Sequence, residues 1–284
     1  MRVHDDDLDV DEALVRALLA EQFPAWADLP LERAGDGTVN VIYRLGKELS
    51  VRLPRREGPE VEDDVEFGWL PVLAPQLPVA IPRPVARGRP GAGYPWFWSV
   101  HTWLDGDLPT TALRPDDVAS FVVTLQRIDA AGGPEPSGGR GRPLSYRDPY
   151  VRDALDLVEA PGARELWERA VAAREWEGER VWIHADLDRR NVLVRDGRLA
   201  GVLDWGGAGI GDPAVDVMVA WKLVAREGRN GFRQLLGVDD ATWLRAQGWV
   251  LSQALIALSY YTLEMNPPLV REAERWLAEV LAGV

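Results

Sequence analysis

The sequence predicts an α+β fold with two lobes: a smaller, β-rich lobe over residues 1–103 and a larger, mainly helical lobe over residues 104–284. Three observations lead to this prediction. The chain has 284 residues, which is long enough for a full core and for more than one compact unit. Alternating apolar residues, typical of strands, dominate the first 105 positions. Helical spacing dominates the remainder, around one central hairpin.

The N-terminal part starts with a helix and continues as a β-hairpin. Apolar residues at helical spacing predict a helix over residues 9–23. Apolar residues then alternate between residues 39 and 53, and a turn at Gly46 divides the alternation into two strands. An acidic helix over residues 59–70 follows. A proline-rich passage then leads to an aromatic strand over residues 94–103.

The C-terminal part is predicted to be helical from about residue 116. Its low-complexity stretch, AGGPEPSGGRGRP (residues 131–143), is expected to be a flexible surface loop because its composition cannot bury a core. Two amphipathic helices are expected near residues 148–159 and 162–177. Short apolar strands around charged turns follow up to residue 205, and the chain is mostly helical from residue 213 onward.

The composition narrows the function classes. The chain has no cysteine, which excludes disulfides, cysteine-ligated metal sites and thiol nucleophiles. A formal net charge of −13 disfavours nucleic-acid binding, and the acid surplus serves either solubility or attraction of a cationic substrate. The acidic N-terminus is unlike a signal peptide, and the most apolar stretch, residues 249–263, is too short to span a bilayer. We therefore expect a cytoplasmic protein that binds neither membranes nor nucleic acids.

One segment, residues 181–216, carries the informative chemistry. Asp186 lies in a loop, Asn191 follows five residues later at the start of a strand, and Asp204 ends the next strand of a predicted hairpin. Because a hairpin places Asn191 and Asp204 side by side, their oxygen atoms suit Mg²⁺. Asp186 can accept or orient the proton of an attacking hydroxyl group. The three residues together suit phosphoryl transfer.

This segment resembles the catalytic core of the aminoglycoside phosphotransferase family, which shares the protein-kinase fold and also includes macrolide, choline and homoserine kinases. The resemblance covers nearly the whole chain, from residue 31 to about residue 281. It implies that Asp186 is the catalytic base, that Asn191 and Asp204 hold Mg²⁺, and that His184 braces the loop. Two further aspartates are expected to fix that loop structurally. The matching stretches are His184-x-Asp186-x-x-x-x-Asn191, Leu203-Asp204-Trp205-Gly206 and Gly211-Asp212-Pro213-x-x-Asp216.

The resemblance also assigns nucleotide-binding residues to the N-terminal lobe. It places Gly35-x-Gly37 in the phosphate-covering loop, and Arg52 at the position of the phosphate-contacting lysine. Glu66 resembles the helix carboxylate that orients this cation. The segment from His101 to Trp103 resembles the family's hinge, whose backbone groups contact the purine. A plain structural role for Glu66 and His101 stays an alternative.

Three departures from the family pattern stand out. Arginine replaces lysine at position 52 and keeps the charge, but its planar fork changes the contact geometry. Ala185 replaces a usual glycine. Asp188-Arg189-Arg190 replaces a histidine-proline-glycine run, and these two arginines are expected either to stabilise the transferred phosphate or to serve a different acceptor.

The resemblance implies an O-phosphotransferase that uses ATP or GTP with Mg²⁺ to phosphorylate a small molecule. The short run from Asp204 to Pro213 leaves no room for the activation segment of a protein kinase. A cationic, aminoglycoside-type antibiotic is the expected acceptor. A macrolide or metabolite alcohol, and a catalytically inactive nucleotide-binding relative, are the alternatives. Four acidic residues are candidates to bind a polycation, although they also fit solvated helix faces: Glu264, Glu272, Glu274 and Glu279.

Overall fold

The computed structural model of the protein describes residues 8–36, 39–57 and 61–282. The chain divides into two units, here called unit 1 (Met1–Pro75 with Ala80–Asp105) and unit 2 (Gln76–Val79 with Gly106–Val284). Unit 1 combines a sheet with helices and unit 2 is mainly helical, which is the expected α+β class. The chain leaves unit 1 after Asp105, whereas the sequence placed the boundary after Trp103.

Unit 1 is built on a five-stranded antiparallel sheet in the order β1-β2-β3-β5-β4. The predicted hairpin is confirmed: Leu45 pairs with Leu49 around a turn in which Gly46 adopts a φ of +61°. Glycine suits this turn because a positive φ costs it little. The elements of unit 1 are α1 (Glu12–Gln22), β1 (Leu31–Asp36), β2 (Asn40–Leu45), β3 (Leu49–Pro54), α2 (Val61–Leu73), β4 (Pro84–Gly88) and β5 (Trp98–Thr102).

The core of unit 1 follows from the period-two pattern of its strands. Alternate residues of β2, namely Val41, Tyr43 and Leu45, are buried and belong to the same apolar cluster as Leu18 and Leu19 of α1. Each such side chain contributes about 1.5–3 kcal/mol when it leaves water. The apolar face of the first helix therefore stabilises the sheet that carries the predicted phosphate-contacting arginine.

Unit 2 contains the remaining helices and two small antiparallel sheets. Its longest helix, α9, begins at a capped N-terminus, where the Asp239 carboxylate accepts a hydrogen bond from the Thr242 amide at 2.7 Å. The elements of unit 2 are α3 (Pro115–Arg127), α4 (Asp148–Leu157), α5 (Ala163–Val171), β6 (Val181–Ile183), β7 (Val192–Arg195), β8 (Arg198–Val202), β9 (Gly209–Gly211), α6 (Ala214–Val217), α7 (Val219–Lys222), α8 (Arg229–Leu236), α9 (Asp240–Tyr260) and α10 (Pro267–Leu281).

The two small sheets bring the chemistry-bearing segments together. The predicted hairpin of β7 and β8 is confirmed, with a turn at Asp196 and Gly197 in which both residues have a positive φ. Strand β6 precedes this hairpin in the sequence and β9 follows it, and the two strands pair with Ile183 opposite Gly209. The end of β6, where the next loop begins, therefore lies beside the start of β9, where the preceding loop ends.

The low-complexity segment 131–143 lies in unit 2 and is held more firmly than its composition predicts. The Ile210 amide donates to the Pro134 carbonyl at 2.9 Å, and Arg180 forms an ion pair with Glu135. Pro136 is buried. The expectation of a flexible loop is therefore wrong in one respect: this surface segment is fixed against β9 by backbone hydrogen bonding and by an ion pair.

Within the described ranges, no helix combines the length and the apolar character that a bilayer crossing requires.

Candidate active site

The loop of residues 184–191, here called the catalytic loop, is fixed by a buried carboxylate. Asp216 of α6 accepts hydrogen bonds from the amides of His184, at 2.7 Å, and Ala185, at 2.8 Å. Burial raises the pKa of Asp216, and the two backbone donors act in the opposite direction by stabilising the ionised carboxylate. The predicted structural role of Asp216 thus corresponds to two specific bonds to the start of the loop.

His184 connects the catalytic loop to the end of β8. Its Nδ1 accepts from the Asp186 amide at 3.3 Å, and its Nε2 lies 2.8 Å from the Leu203 carbonyl oxygen. An accepting Nδ1 requires the proton on Nε2, which donates to that carbonyl. Burial lowers the pKa of His184, in agreement with a neutral ring. The ring also packs edge-on against Trp205 at 4.8 Å.

Asp186 is the half-exposed carboxylate of the catalytic loop. The Asn191 side chain donates from Nδ2 to the Asp186 carbonyl at 2.9 Å and approaches its Oδ2 at 3.4 Å. Ala185, directly before it, has a φ of +70°, a conformation that favours glycine. The backbone at position 185 therefore has a shape that suits glycine, and Asp186 presents a partly solvated carboxylate.

The residues expected to hold Mg²⁺ lie on neighbouring chain segments. The Leu203 amide donates to the Asn191 carbonyl at 2.8 Å, and Asp204 follows directly, exposed and with a φ of +60°. Because Nδ2 of Asn191 is the donating end of the amide, Oδ1 is the end available to a cation. No group of three or more His, Cys, Asp or Glu side chains in the described ranges is arranged to bind a metal. The side-chain oxygens of Asn191 and Asp204 suit Mg²⁺, which commonly takes its other ligands from phosphate and water.

Three cations act on Asp186. Burial alone raises the pKa of Asp186, but the charges of Arg140, Lys222 and Arg190 outweigh burial and hold the pKa below its usual value. Nη2 of Arg140 lies 3.7 Å from Oδ1 of Asp186. The carboxylate is consequently ionised at neutral pH and lies in a positive environment.

Of the two arginines that the sequence placed beside Asp186, Arg190 is held by another residue of the loop. Arg190 forms a bidentate pair with buried Asp188, at 2.5 and 3.2 Å. The charges that act on Arg189 are those of Arg275 and Glu272 on α10. Asp188 accepts from Nε and Nη2 of Arg190 and thereby fixes the orientation of its guanidinium.

Asp212, the other predicted structural aspartate, lies in a buried ion pair. Arg245 of α9 donates to both of its oxygens, at 2.7 and 3.1 Å, and the Ala214 amide donates to Oδ1 at 2.9 Å. The pair links the start of α6 to the longest helix. Asp216 is thereby carried on an anchored helix.

In unit 1, the predicted partners Arg52 and Glu66 contact each other. Nη1 of Arg52 donates to Oε1 of Glu66 at 3.0 Å, and both side chains are mostly buried. Nε of Arg52 is buried without a hydrogen-bond partner among the described residues. An arginine that is oriented by a carboxylate and retains an unused donor fits a phosphate-contacting role.

His101 lies on β5 behind this pair. Its Nε2 is 3.5 Å from Oε2 of Glu66, and burial together with the Arg52 charge lowers its pKa to about 2. His101 is therefore neutral, and its backbone lies between β3 and β4, opposite Ser50 and Pro84. The Trp103 amide donates to the Glu48 carbonyl at 2.7 Å. This bond removes the Trp103 amide from the donors available to a purine.

The glycine pair is described only in part. Gly35 lies in β1 at a bulge, and a Cβ there would meet no atom within 4 Å. Gly37 lies outside the described residues. The phosphate-covering role of both glycines stays a prediction.

Two cations near the base were missed from the sequence. Lys222 is one of only two lysines in the chain and lies within an apolar helical stretch. A charged residue at such a position could have indicated a buried cation from the sequence. Lys222 is fully buried, donates to Gln253 at 2.5 Å and lies 4.1 Å from the Trp276 ring centroid. Burial lowers its pKa to about 8. Arg140 gave no signal, since it lies in the low-complexity segment.

Comparison with known proteins gives the class of the chain. A sequence model described as the phosphotransferase enzyme family (APH) matches residues 30–249. Because this match covers most of the chain, the chain belongs to the phosphotransferase enzyme family, and the resemblance stated from its motifs is confirmed.

Individual relatives match part of the chain. An uncharacterized protein of Bacillus subtilis, YcbJ, is 31% identical over 156 residues, covering 50% of this chain and 48% of YcbJ. The viomycin phosphotransferase of Streptomyces vinaceus is 33% identical over 126 residues, covering 40% of this chain and 44% of that enzyme. The matches span about half or less of the length of these curated relatives.

Solved structures match almost the whole chain. The GDP and kanamycin complex of APH(2″)-IIIa has a TM-score of 0.70 at 19% identity, covering 94% of this chain and 97% of that chain. The macrolide 2′-phosphotransferase MphH of Brachybacterium faecium has a TM-score of 0.64 at 23% identity, covering 93% and 98%. At these identities the likeness shows the fold, and the predicted kinase-like α+β architecture is confirmed.

Proposed function

We propose that this protein transfers the terminal phosphoryl group of ATP or GTP to a hydroxyl group of a small molecule. The hydroxyl oxygen forms a bond to the terminal phosphorus, and the bond from that phosphorus to the β,γ-bridging oxygen breaks. The bonding electron pair stays on the leaving nucleoside diphosphate. The hydroxyl proton passes to the Asp186 carboxylate, which is ionised and half-exposed.

The observation that carries this proposal is the bracing of Asp186 beside the two oxygen donors. Asp216 and His184 fix the loop that presents Asp186, and Asn191 bonds to Asp186 while its own carbonyl accepts from Leu203. Placing a base within hydrogen-bond reach of the acceptor accounts for a large part of catalysis when there is little covalent chemistry to perform. Family membership supports the same reaction class.

Each unit, considered by itself, contains residues that fit a nucleotide. In unit 1, Arg52 contacts phosphate oxygens while Glu66 orients its guanidinium. In unit 2, Asn191 and Asp204 hold Mg²⁺. The bound metal neutralises the charge of the nucleotide phosphates. A GDP complex among the structural matches favours a nucleoside triphosphate as the donor.

The acceptor we favour is a basic, hydroxyl-bearing antibiotic of the aminoglycoside type. The viomycin enzyme and the kanamycin complex among the matches point in this direction, as does the net charge of −13. Two of the four candidate acids are already in ion pairs, Glu272 with Arg275 and Glu279 with Arg229. Glu264 and Glu274 are exposed, and they are the better candidates to bind a polycation.

The test measures release of nucleoside diphosphate with Mg²⁺ and either ATP or GTP. The acceptors are aminoglycosides, viomycin-like peptides, macrolides and simple alcohols. We expect acceptor-dependent release that falls by about 10²–10⁴-fold in Asp186→Ala, the range that a general base contributes. Asp153→Ala is the matched control, since Asp153 is an exposed aspartate of α4.

The possible results separate the candidate functions. Release with macrolides or simple alcohols alone would reject the aminoglycoside assignment and keep the phosphotransferase. Saturable Mg²⁺-nucleotide binding without release on any acceptor would instead favour the inactive relative. Release that is unchanged in Asp186→Ala would refute the assigned base.

A further inference from the structure

The segment 131–143, here called the arginine loop, delivers a cation to the catalytic loop. Its backbone turns at residues 137–140, where Gly138 and Gly139 both have a positive φ and the Arg140 amide donates to the Ser137 carbonyl at 3.3 Å. Gly139 has a φ of +70°, and a Cβ there would come within 2.4 Å of the Tyr146 ring. The glycines of this loop thus allow a close approach that fixes where Arg140 leaves the backbone.

The Arg140 guanidinium lies between the base and the segment that follows Asp204. Its Nη2 is 3.7 Å from Oδ1 of Asp186, and a Cβ added to Gly207 would lie 2.9 Å from its Nη1. Gly207 therefore leaves the space that the guanidinium occupies. The side chains of Arg140 and Asp186 are 28% and 25% exposed, so that a ligand can reach both.

Unlike Arg190 and Lys222, Arg140 uses none of its side-chain donors in a hydrogen bond to the described residues. Arg190 is held by Asp188, and Lys222 is fully buried with Gln253 as its partner. The Arg140 side chain makes no hydrogen bond to any residue in the described part of the chain, and its distance to Asp186 is beyond hydrogen-bond range. Arginine carries five N–H donors in a planar fork that matches phosphate oxygens.

The distances place this fork within reach of the transferred group. An acceptor oxygen that bonds to Asp186 lies about 2.6–3.2 Å from its carboxylate, and the attacked phosphorus lies about 3–3.5 Å further on. On the basis of the function proposed above, we propose that Arg140 is a catalytic residue that donates hydrogen bonds to the terminal phosphoryl oxygens during transfer. The arginine loop then supplies the positive charge that the sequence led us to expect from Arg189 and Arg190.

The test uses a mimic of the transferred group and needs no knowledge of the acceptor. Binding of Mg²⁺-ADP or Mg²⁺-GDP is measured by calorimetry with and without aluminium fluoride, for the wild-type protein and for Arg140→Ala, Arg140→Lys and Arg142→Ala. Arg142 is the matched control because it lies in the same loop but is exposed and stacks on Tyr146 at 4.5 Å. Melting temperatures show whether each variant is folded.

We expect Arg140→Ala to bind Mg²⁺-diphosphate with aluminium fluoride about 10²-fold more weakly than the wild type. Loss of one preorganised donor that faces developing negative charge has an effect of this size. The affinity of the variant for Mg²⁺-diphosphate without fluoride should stay within about twofold of the wild type. Arg140→Lys should retain part of the gain in affinity that aluminium fluoride gives the wild type, because lysine keeps the charge but lacks the planar fork of donors. Arg142→Ala should match the wild type.

Equal weakening with and without fluoride would overturn the proposal, since Arg140 would then support nucleotide binding in general. An unchanged affinity for the fluoride complex would overturn it as well. If the wild-type protein binds neither diphosphate, the proposed function itself fails and this inference fails with it. If the wild type binds the diphosphate and Arg140→Ala has the same affinity as the wild type for the fluoride complex, the result contradicts the Arg140 assignment alone.

Discussion

The catalytic loop and the arginine loop reach the same carboxylate but are held in place by different means. Buried side chains that bond to the backbone fix the catalytic loop, above all Asp216 and His184. The arginine loop is fixed by the hydrogen bond from Ile210 to Pro134 and by the ion pair of Glu135 with Arg180, and it can lie this close because Gly207 and Gly209 have no side chain. The first arrangement depends on polar groups satisfied in the interior, and the second depends also on space.

This difference predicts different failures. Loss of a buried acceptor leaves backbone donors unsatisfied, which costs stability directly. Filling a glycine site forces backbone or a side chain to move, and the cost depends on which of the two must give way. The following variants test the contrast, beginning with the largest expected effect.

Asp216→Ala should break the catalytic loop. It leaves the buried amides of His184 and Ala185 without their acceptor, at about 1–3 kcal/mol each, and the removal of a buried charge offsets part of this loss. We expect the free energy of unfolding to fall by roughly 2–4 kcal/mol in urea titrations. Activity should fall by about 10²-fold or more, because a displacement of the base by about 1 Å has that effect.

The control for this variant is Asp153→Ala, which should change the unfolding free energy by less than about 0.5 kcal/mol. If Asp216→Ala lowers the free energy of unfolding no more than this control does, the amides of His184 and Ala185 must find water or other partners. The catalytic loop would then not depend on the buried carboxylate.

The two loops also differ in how far the sequence predicted them. Asp186, Asn191 and Asp204 follow one another at a fixed spacing on a local hairpin, so that a motif and a turn were enough to bring them together. Arg140 reaches Asp186 from more than forty positions earlier, through contacts made by glycines. A glycine pattern indicates freedom of the backbone, and it does not indicate which neighbour occupies the space.

The same distinction holds for the fold. The hairpin of β2 and β3 was predicted because its alternation and its turn at Gly46 are local. The pairing of β6 with β9 was not predicted, since it joins strands on either side of another hairpin and leaves no local pattern. The edge strand β4 was likewise missed, because its Pro84 made the stretch read as a proline-rich passage.

Gly209→Ala should disturb the arginine loop with a smaller cost. A Cβ at Gly209 would lie 2.5 Å from the Pro134 carbonyl oxygen and 2.6 Å from the Pro136 nitrogen, so that backbone must shift. We expect a loss of about 1–3 kcal/mol in the free energy of unfolding, as for other overpacked sites. Activity should fall too, because the displaced loop carries Arg140.

Gly207→Ala sharpens this test, because its Cβ would come too close only to the end of the Arg140 side chain, at 2.9 Å, while Ser137 Oγ at 3.6 Å and the His184 carbonyl oxygen at 3.8 Å lie at ordinary contact distance. Its stability should stay within about 0.5 kcal/mol of the wild type while its activity decreases. Equal losses of stability in the two glycine variants would contradict the distinction between backbone and side-chain obstruction.

Ala185→Gly should have the smallest effect and concerns the catalytic loop itself. Ala185 holds a φ of +70°, which costs an L-residue about 1–2 kcal/mol. Glycine removes that strain but adds about 0.4–1 kcal/mol of entropy to the unfolded chain. The net result should be a stabilisation of at most about 1.6 kcal/mol, with the hydrogen bond to Asp216 retained and activity unchanged.

Ala92→Gly is the matched control, since Ala92 is an exposed alanine with a φ of 47° outside the catalytic loop. If both variants gain stability and keep activity, the alanine at position 185 is a strained but functional substitute for glycine, and it gives no support to an inactive relative. A loss of stability in Ala185→Gly alone would show that the buried methyl group contributes more through packing than its backbone strain costs. The catalytic loop would then be held by apolar contact as well as by Asp216.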